Sequence, residues 1–196
     1  MAASIDLDTK CGRYLTFRDL VECGETWAAC ARSATPIDNR PVQAESIEAL
    51  QRLCDLVVDP VIDEFGSGDL TYGFSGRQLS NRVKRTVGRV APALDQHAAH
   101  ELNSRGRPIC PRGGAAVDFR VQGESSLEVA RWVVNHTPFD RLYFYDEQLP
   151  IHVSATARPI GQIIEIRHNK FGSRTPIVRS RGHFLGRDGL QSTAGG

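Results

Sequence analysis

The sequence predicts a small single domain of the α+β class, with N-terminal helices packed on a mainly antiparallel sheet. Two features lead to this prediction. The first third of the chain holds a stripe of apolar residues at helical spacing, between residues 46 and 65. The second half holds short apolar runs separated by turn residues, which is typical of antiparallel strands. The length of 196 residues and the hydrophobic content of 40% suit one domain with one core.

The apolar stripe predicts an amphipathic helix, because its members recur every three or four residues. They are Ile47, Leu50, Leu53, Val57, Val58, Val61 and Phe65. Pro60 lies inside the stripe and has no backbone N–H to donate, so we expect the helix to kink or restart there.

The sequence predicts four further helical segments and five strands. Further helices are predicted after the N-cap residue Thr16, through Leu79 and Val83, from 92 to 102, and after the N-cap residue Ser125. Strands are predicted at 70–74, from Asp118 onward, and at 142–145, 152–154 and 161–166. The strands at 142–145 and 152–154 are close in sequence, so we expect them to form a hairpin.

Composition limits the function classes. The formal net charge of +1 argues against a protein whose whole surface binds a polyanion. The five cysteines are odd in number and unevenly spaced, so they indicate a reducing compartment rather than a disulfide framework. The first residues lack the basic start and apolar core of a signal peptide, and no apolar run reaches the roughly 18 residues of a membrane span. We therefore expect a cytoplasmic protein without membrane contact.

An acid and a histidine on two predicted strands form a candidate metal site. Asp118 opens an alternating run after small residues, and His152 alternates with Ile151 and Val153, so its ring leaves the sheet on the opposite face from theirs. Carboxylate oxygen and imidazole nitrogen are both zinc ligands. Each residue also has a simpler interpretation, since an acid that begins a strand is commonly solvated and a strand histidine is commonly packed in the core.

Several motifs taken together resemble the zinc peptidases related to D-alanyl-D-alanine carboxypeptidases. In chain order they are Tyr14-Leu-Thr-Phe-Arg-Asp-Leu20, Ile37-Asp-Asn-Arg-Pro41, Leu50-Gln-Arg-Leu-Cys-Asp-Leu-Val-Val-Asp-Pro60 with Phe65-Gly66, Gly114-Ala-Ala-Val-Asp118-Phe, Phe139-Asp-Arg-Leu142 and Ile151-His-Val-Ser154. The resemblance implies a fold of the hedgehog/DD-peptidase type. It also implies zinc held by a histidine, an aspartate and a second histidine, with Asp118 matching the aspartate and His152 the second histidine.

The first histidine of that pattern is displaced in this chain. The family places it seven residues before the aspartate, in His-x-x-Gly-x-Ala-x-Asp, where Pro111 stands here. Three residues are alternatives: His97, which follows a glutamine as the family's histidine often does; His100, near the same helical face; and Cys110, nearly in register. We favour His97, which implies a 14-residue insertion. The simpler interpretations are a buried apolar role for Cys110 and a solvated helix face for the histidines.

The resemblance further implies an acid near the last ligand and a substrate-binding arginine. Asp146 and Glu147 lie in the predicted hairpin turn, and Asp146 is preferred because it follows the run Leu-Tyr-Phe-Tyr, where the family carries an acid. The family's arginine follows the first strand in Ser-Gly-Tyr-Arg, and Arg77 falls two residues later than this pattern. The simpler interpretations are a solvated turn for the acids and a surface charge for Arg77.

These assignments predict a zinc-dependent hydrolase that cleaves a small peptide amide, such as a peptidoglycan dipeptide, through a metal-activated water. The expected division is an N-terminal tail (1–13), a zinc peptidase-like domain (14–166) and a basic C-terminal extension (167–196). The alternative is a catalytically divergent or inactive module on the same fold, whose basic extension binds a nucleic acid or another intracellular ligand. A third interpretation keeps the zinc but acts on a modified nucleotide or another intracellular amide. The sequence leaves the oligomeric state open.

Overall fold

The computed structural model describes residues 5–86, 95–168 and 174–187, with a run of helices near the start of the chain and a run of strands in its second half. The helices are α1 (Phe17–Val21), α2 (Gly24–Ala31), α3 (Ala44–Leu53), α4 (Asp59–Phe65), α5 (Arg77–Thr86), α6 (Ser126–His136) and α7 (Arg181–Phe184). The strands are β1 (Gly68–Tyr72), β2 (Ala115–Val121), β3 (Arg141–Phe144), β4 (Ile151–Ala155), β5 (Gln162–His168) and β6 (Arg174–Arg179). None of the described helices is long and apolar enough to cross a membrane.

The strands form one sheet in the order β1-β2-β4-β3-β5-β6. All neighbouring strands are antiparallel except β3 and β5. That pair is parallel because β4 reverses the direction of β3 and the connection after β4 reverses it again. The prediction of an α+β domain with a mainly antiparallel sheet is therefore confirmed.

The long apolar stripe is one helical segment with a change of pitch. A π-helical turn, Cys54–Val58, joins α3 to α4, and Pro60 stands in the first turn of α4. Proline has no N–H for the preceding turn, so the wider turn before it accommodates the missing hydrogen bond. The kink or restart predicted at Pro60 takes the form of this change of pitch, and the helical backbone continues through it.

The helices α3 and α6 cover one face of the sheet and form the core with it. Val117, Leu142 and Val153 are fully buried on this face, on three adjacent strands. Side chains alternate along a strand, so Asp118 and His152 project from the opposite face. That second face carries the candidate site.

The segment expected to be a helix from 92 to 102 differs from the prediction. Residues 91–94 lie outside the described residues, and the rest forms only a short 3-10 turn, Gln96–Ala98. Ala99 has a φ of 46°, and a residue in the left-handed region cannot continue a right-handed helix. The prediction of a helix over residues 95–102 is therefore wrong.

Both segments outside the expected zinc peptidase-like domain of residues 14–166 contribute to the fold. In the expected N-terminal tail, Leu7 and Cys11 are buried in the core. In the expected C-terminal extension, β6 joins the sheet, and Phe184 of α7 packs edge-on against Phe144 with ring centroids 5.9 Å apart. The described parts of these two segments therefore belong to the same folded unit.

Candidate metal centre

Asp118 and His152 meet on the face of the sheet opposite the covering helices. They are direct partners in the ladder between β2 and β4, and Asp118 Oδ1 lies 2.8 Å from His152 Nδ1. His152 is buried, whereas the Asp118 side chain is 26% exposed. The two side chains converge as strand alternation predicts, and the carboxylate leaves one side of the group accessible.

His97 completes a group of three ligand-type side chains. It lies in the 3-10 turn Gln96–Ala98, and its Nε2 is 3.1 Å from both His152 Nδ1 and Asp118 Oδ1. Three donor atoms this close to one another could hold a metal ion. Of the three alternatives for the first histidine, His97 is the one that the structure brings to Asp118 and His152.

The orientation of the His97 ring is set by the backbone of Gly73. His97 Nδ1 lies 2.9 Å from the Gly73 carbonyl oxygen. A carbonyl only accepts, so Nδ1 carries the proton, and Nε2 of the neutral ring presents a lone pair to the group. Metal-binding histidines usually donate their second nitrogen in this way.

Gly73 is required at this position by a close chain crossing. A Cβ atom on residue 73 would lie 2.2 Å from the Leu20 carbonyl oxygen. The chain leaving β1 thus passes directly against the end of α1. This contact fixes the carbonyl that holds His97.

The electrostatics of the group favour a positive charge at its centre. Burial raises the pKa of the Asp118 carboxyl, but the charges and hydrogen bonds of His97 and His152 outweigh burial, so this pKa lies well below its usual range. Burial lowers the pKa of His97, and the Asp118 charge outweighs it, so the pKa of His97 is raised. The negative charge of the Asp118 carboxylate would likewise stabilise a cation bound by the three ligand atoms.

No protein-family model matches this chain, and no curated protein or solved structure matches it. The resemblance to zinc peptidases is therefore a hypothesis that depends on the motifs and on the geometry of the site. The three converging side chains are the observation that bears on it most directly.

His100 and Cys110 lie outside the group of three. His100 Nε2 accepts a hydrogen bond from Gly114 N at 3.1 Å, so its ring supports the chain entering β2. Gly113 has a φ of 66°, and a Cβ there would lie 2.4 Å from the His100 ring, so this contact requires glycine. Cys110 is buried, and burial raises the pKa of its thiol, which keeps the thiol neutral. His100 thus supports the backbone at the start of β2, and Cys110 is a buried, neutral thiol.

The two acids proposed for proton transfer lie in the connection between β3 and β4. Asp146 and Glu147 are both exposed, and neither belongs to the group of three. Asp146 Oδ1 accepts a hydrogen bond from Gln148 N at 3.0 Å, and Glu147 Oε2 lies 3.5 Å from Ser125 Oγ. Their place in the turn is as predicted, and both side chains make local contacts there.

Arg77 lines a surface cleft at the start of α5. It is exposed at the start of α5 and borders a cleft of about 290 Å³ together with Arg40, Gln43 and Asn103. None of the three ligand residues lines this cleft. The exposed position agrees with the interpretation of Arg77 as a surface charge.

A buried polar network fixes the turn that carries His97, and sequence reasoning missed it. Gln96 accepts a hydrogen bond from Ser154 Oγ at 2.9 Å and donates to Asp140 Oδ2 at 2.9 Å and to the Gly113 carbonyl at 3.1 Å. Arg112 forms an ion pair with Asp140, donating from Nε to Oδ2 at 2.6 Å. The network ties the 3-10 turn to β4 and to the residue that precedes β3. Its only sequence signal is the position of Gln96 next to His97.

Two tyrosines pack against the imidazole rings. The Tyr72 ring is edge-on to His97 with centroids 4.5 Å apart, and the Tyr143 ring is edge-on to His152 at 5.0 Å. Tyr143 is the register partner of His152, which places both on one face. The tyrosines restrict ring rotation and cover the group with aromatic surface.

Proposed function

We propose that this protein is a zinc-dependent hydrolase that cleaves a small peptide amide. The observation that carries the proposal is the convergence of His97 Nε2, Asp118 Oδ1 and His152 Nδ1 to within 3.1 Å of one another. The three atoms come from a 3-10 turn and two strands, so the tertiary fold brings them together. Zinc sites of hydrolases have three such protein ligands and one open position.

The donor set and its spacing fit zinc. Zinc bonds of about 2 Å in a tetrahedron separate neighbouring ligands by about 3.3 Å, close to the distances found here. Two neutral imidazoles and one carboxylate supply a single negative charge, and the Gly73 carbonyl supports one imidazole from behind. When bound in such a site, zinc polarises a carbonyl and activates water.

The protein residues have distinct roles in this proposal. His97, Asp118 and His152 hold the metal, while Tyr72 and Tyr143 limit the rotation of the imidazole rings. A carboxylate must accept a proton from water and pass it to the leaving amine. We assign this role to Asp146, with Glu147 as the alternative, because their turn joins the strands that carry Tyr143 and His152.

The amide substrate follows from the resemblance and from the accessible side of the site. The motif order from residue 14 to 154 is that of peptidases acting on D-alanyl-D-alanine, and it supports a dipeptide-sized substrate. Asp118 is partly exposed while both histidines are buried, so a substrate would approach from the carboxylate side. The chemistry proposed is hydrolysis of one amide bond.

Metal analysis of purified variants tests the site. We expect about one zinc per wild-type chain and loss of zinc in Asp118→Ala, His152→Ala and His97→Ala. The controls Cys110→Ser and His136→Ala should keep it, because His136 is exposed and Cys110 lies outside the group. Retention of zinc by Asp118→Ala or His152→Ala would remove the hypothesis. Iron should be measured beside zinc, because two histidines and a carboxylate also suit iron.

An amide-hydrolysis assay tests the activity. The zinc-loaded protein is incubated with dipeptides that include D-alanyl-D-alanine, and the released amine is measured. Release should stop on chelation and return with added zinc, and it should be absent in Asp118→Ala. Release that continues in the presence of the chelator would contradict the proposal, as would zinc-loaded protein without activity on any member of the series.

A further inference from the structure

Arg141 occupies the same face of the sheet as the candidate metal ligands. On β3 it precedes Tyr143 by two residues, and its partner on β4 is Ser154, two residues beyond His152. Side chains two residues apart on a strand share a face, at a separation of about 6.6 Å. Arg141 therefore projects beside His152, one step further along the sheet.

In the part of the chain that the structure describes, Arg141 Nε is a buried donor without a hydrogen-bond partner, and the side chain forms no ion pair. The preceding Asp140 does not compensate it, because that carboxylate is bound by Arg112 and Gln96. A buried charged donor without an acceptor destabilises a fold, so such a group needs an explanation.

A comparison with Arg179 shows why Arg141 is unusual. Arg179 Nη2 is also buried without a hydrogen bond, but Arg179 Nε donates to Glu165 Oε2 at 2.6 Å, so its charge is paired. Among the described residues, no carboxylate pairs with Arg141 in this way. As a whole residue, Arg141 is half-buried rather than fully buried.

We propose that Arg141 binds a carboxylate group of the molecule held at the metal site. This inference rests on the proposed function, because it places the anionic group next to a metal held by His97, Asp118 and His152. A guanidinium suits this role, since its planar set of donors matches the two oxygens of a carboxylate. The motif pattern suggested Arg77 for substrate binding. Arg77 lines a separate cleft, so we do not assign this role to it.

Two small thiols of equal length provide the test. The full-length chain is loaded with cobalt, and binding of 3-mercaptopropionate and of 3-mercaptopropan-1-ol is measured by the thiolate–cobalt absorption band. Both thiols carry a metal-binding sulfur, and only the first carries a carboxylate. In the wild type we expect the carboxylate thiol to bind at least about tenfold more tightly than the alcohol.

The variants assign this preference to one residue. In Arg141→Met the preference should fall to about one, while cobalt content stays at the wild-type value. Arg141→Lys keeps the charge but loses the planar donors, so it should show a reduced preference. The matched control Arg158→Met, which changes an exposed arginine, should behave as the wild type.

The outcomes separate the two proposals. A cobalt band with either thiol but without a carboxylate preference overturns the role of Arg141 alone, and so does an unchanged preference in Arg141→Met. If neither thiol perturbs the wild-type cobalt spectrum, the accessible metal site is absent and both proposals fail. If Arg141→Met does not fold, the carboxylate preference is measured in Arg141→Lys and Arg141→Gln instead. An unchanged preference for the carboxylate thiol in both variants overturns the inference.

Discussion

The ring of His97 donates from Nδ1 to the backbone carbonyl of Gly73 at 2.9 Å. This one hydrogen bond selects the tautomer whose Nε2 lone pair points at Asp118 and His152. The contact joins the end of β1 to a turn 24 residues later. The geometry of the candidate metal centre therefore depends on backbone positions as well as on the ligands.

Gly73→Ala should weaken metal binding without changing a ligand. The added Cβ would lie 2.2 Å from the Leu20 carbonyl oxygen, so the backbone must move and take the Gly73 carbonyl with it. Loss of such an outer partner lowers metal affinity by about 10–100-fold. Zinc titration checks this, with Gly76→Ala as the control, because the nearest atom to a Cβ there is 3.3 Å away. Equal zinc affinity in Gly73→Ala and the wild type would contradict the role of this carbonyl.

Gln96→Ala should lower both stability and metal affinity. The substitution leaves Ser154 and Asp140 without one buried partner each, which costs about 1–3 kcal/mol per unsatisfied group. Since the turn carrying His97 is then less constrained, we expect zinc affinity to fall by about tenfold. Denaturant unfolding and zinc titration measure the two effects, with Gln122→Ala as an exposed control. A change in stability without any change in affinity would show that the network does not position His97.

Asp140 should make the fold sensitive to acid. Burial raises the pKa of its carboxyl, but hydrogen bonds from Arg112 and Gln96 outweigh burial, so the pKa is lowered in the folded state. A lowered pKa stabilises the fold fully above the unfolded value of about 4, and this contribution is lost as the pH falls through the folded pKa. Breaking the buried pair by Asp140→Asn should cost about 3 kcal/mol at neutral pH.

The pH series isolates this effect from other acids. The difference in unfolding free energy between wild type and Asp140→Asn should be constant from pH 7 to about pH 5 and shrink towards about pH 2. Denaturant unfolding at each pH measures it. A difference that grows as the pH falls would reverse the sign and contradict the lowered pKa.

Asp146→Asn should reduce amide hydrolysis while leaving the metal bound. A positioned general base contributes about 10²–10⁴-fold to the rate, so we expect a loss of that order in kcat. Zinc content should stay at the wild-type value, because Asp146 lies outside the group of three. Glu147→Gln is the matched comparison, since both acids occupy the same turn. A normal rate in Asp146→Asn with a large loss in Glu147→Gln would transfer the role to Glu147.

The parts of the site that depend on local pattern could be predicted from the sequence. Asp118 and His152 follow from strand alternation, which decides the face of each side chain without knowledge of the fold. The N-cap at Ser125 and the change of helical pitch next to Pro60 follow from equally local chemistry. These elements position β2, β4 and the covering helices.

The parts that depend on long-range contact could not be predicted. Two long-range hydrogen bonds fix the conformation of the turn that carries His97. One joins His97 to the Gly73 carbonyl, and the other joins Gln96 to Ser154, 58 residues later. Without those contacts the sequence around His97 favours a helix, and that prediction was wrong. Likewise, Arg141 is an ordinary strand residue in sequence, and only the absence of a partner for its guanidinium in the described structure distinguishes it.

A crystal of the protein soaked in zinc, with anomalous diffraction recorded at the zinc edge, tests the central claim most directly. We expect one zinc ion bonded at about 2 Å to His97 Nε2, Asp118 Oδ1 and His152 Nδ1, with a fourth position open to solvent. A zinc ion bound elsewhere while these three atoms remain unligated would contradict the account.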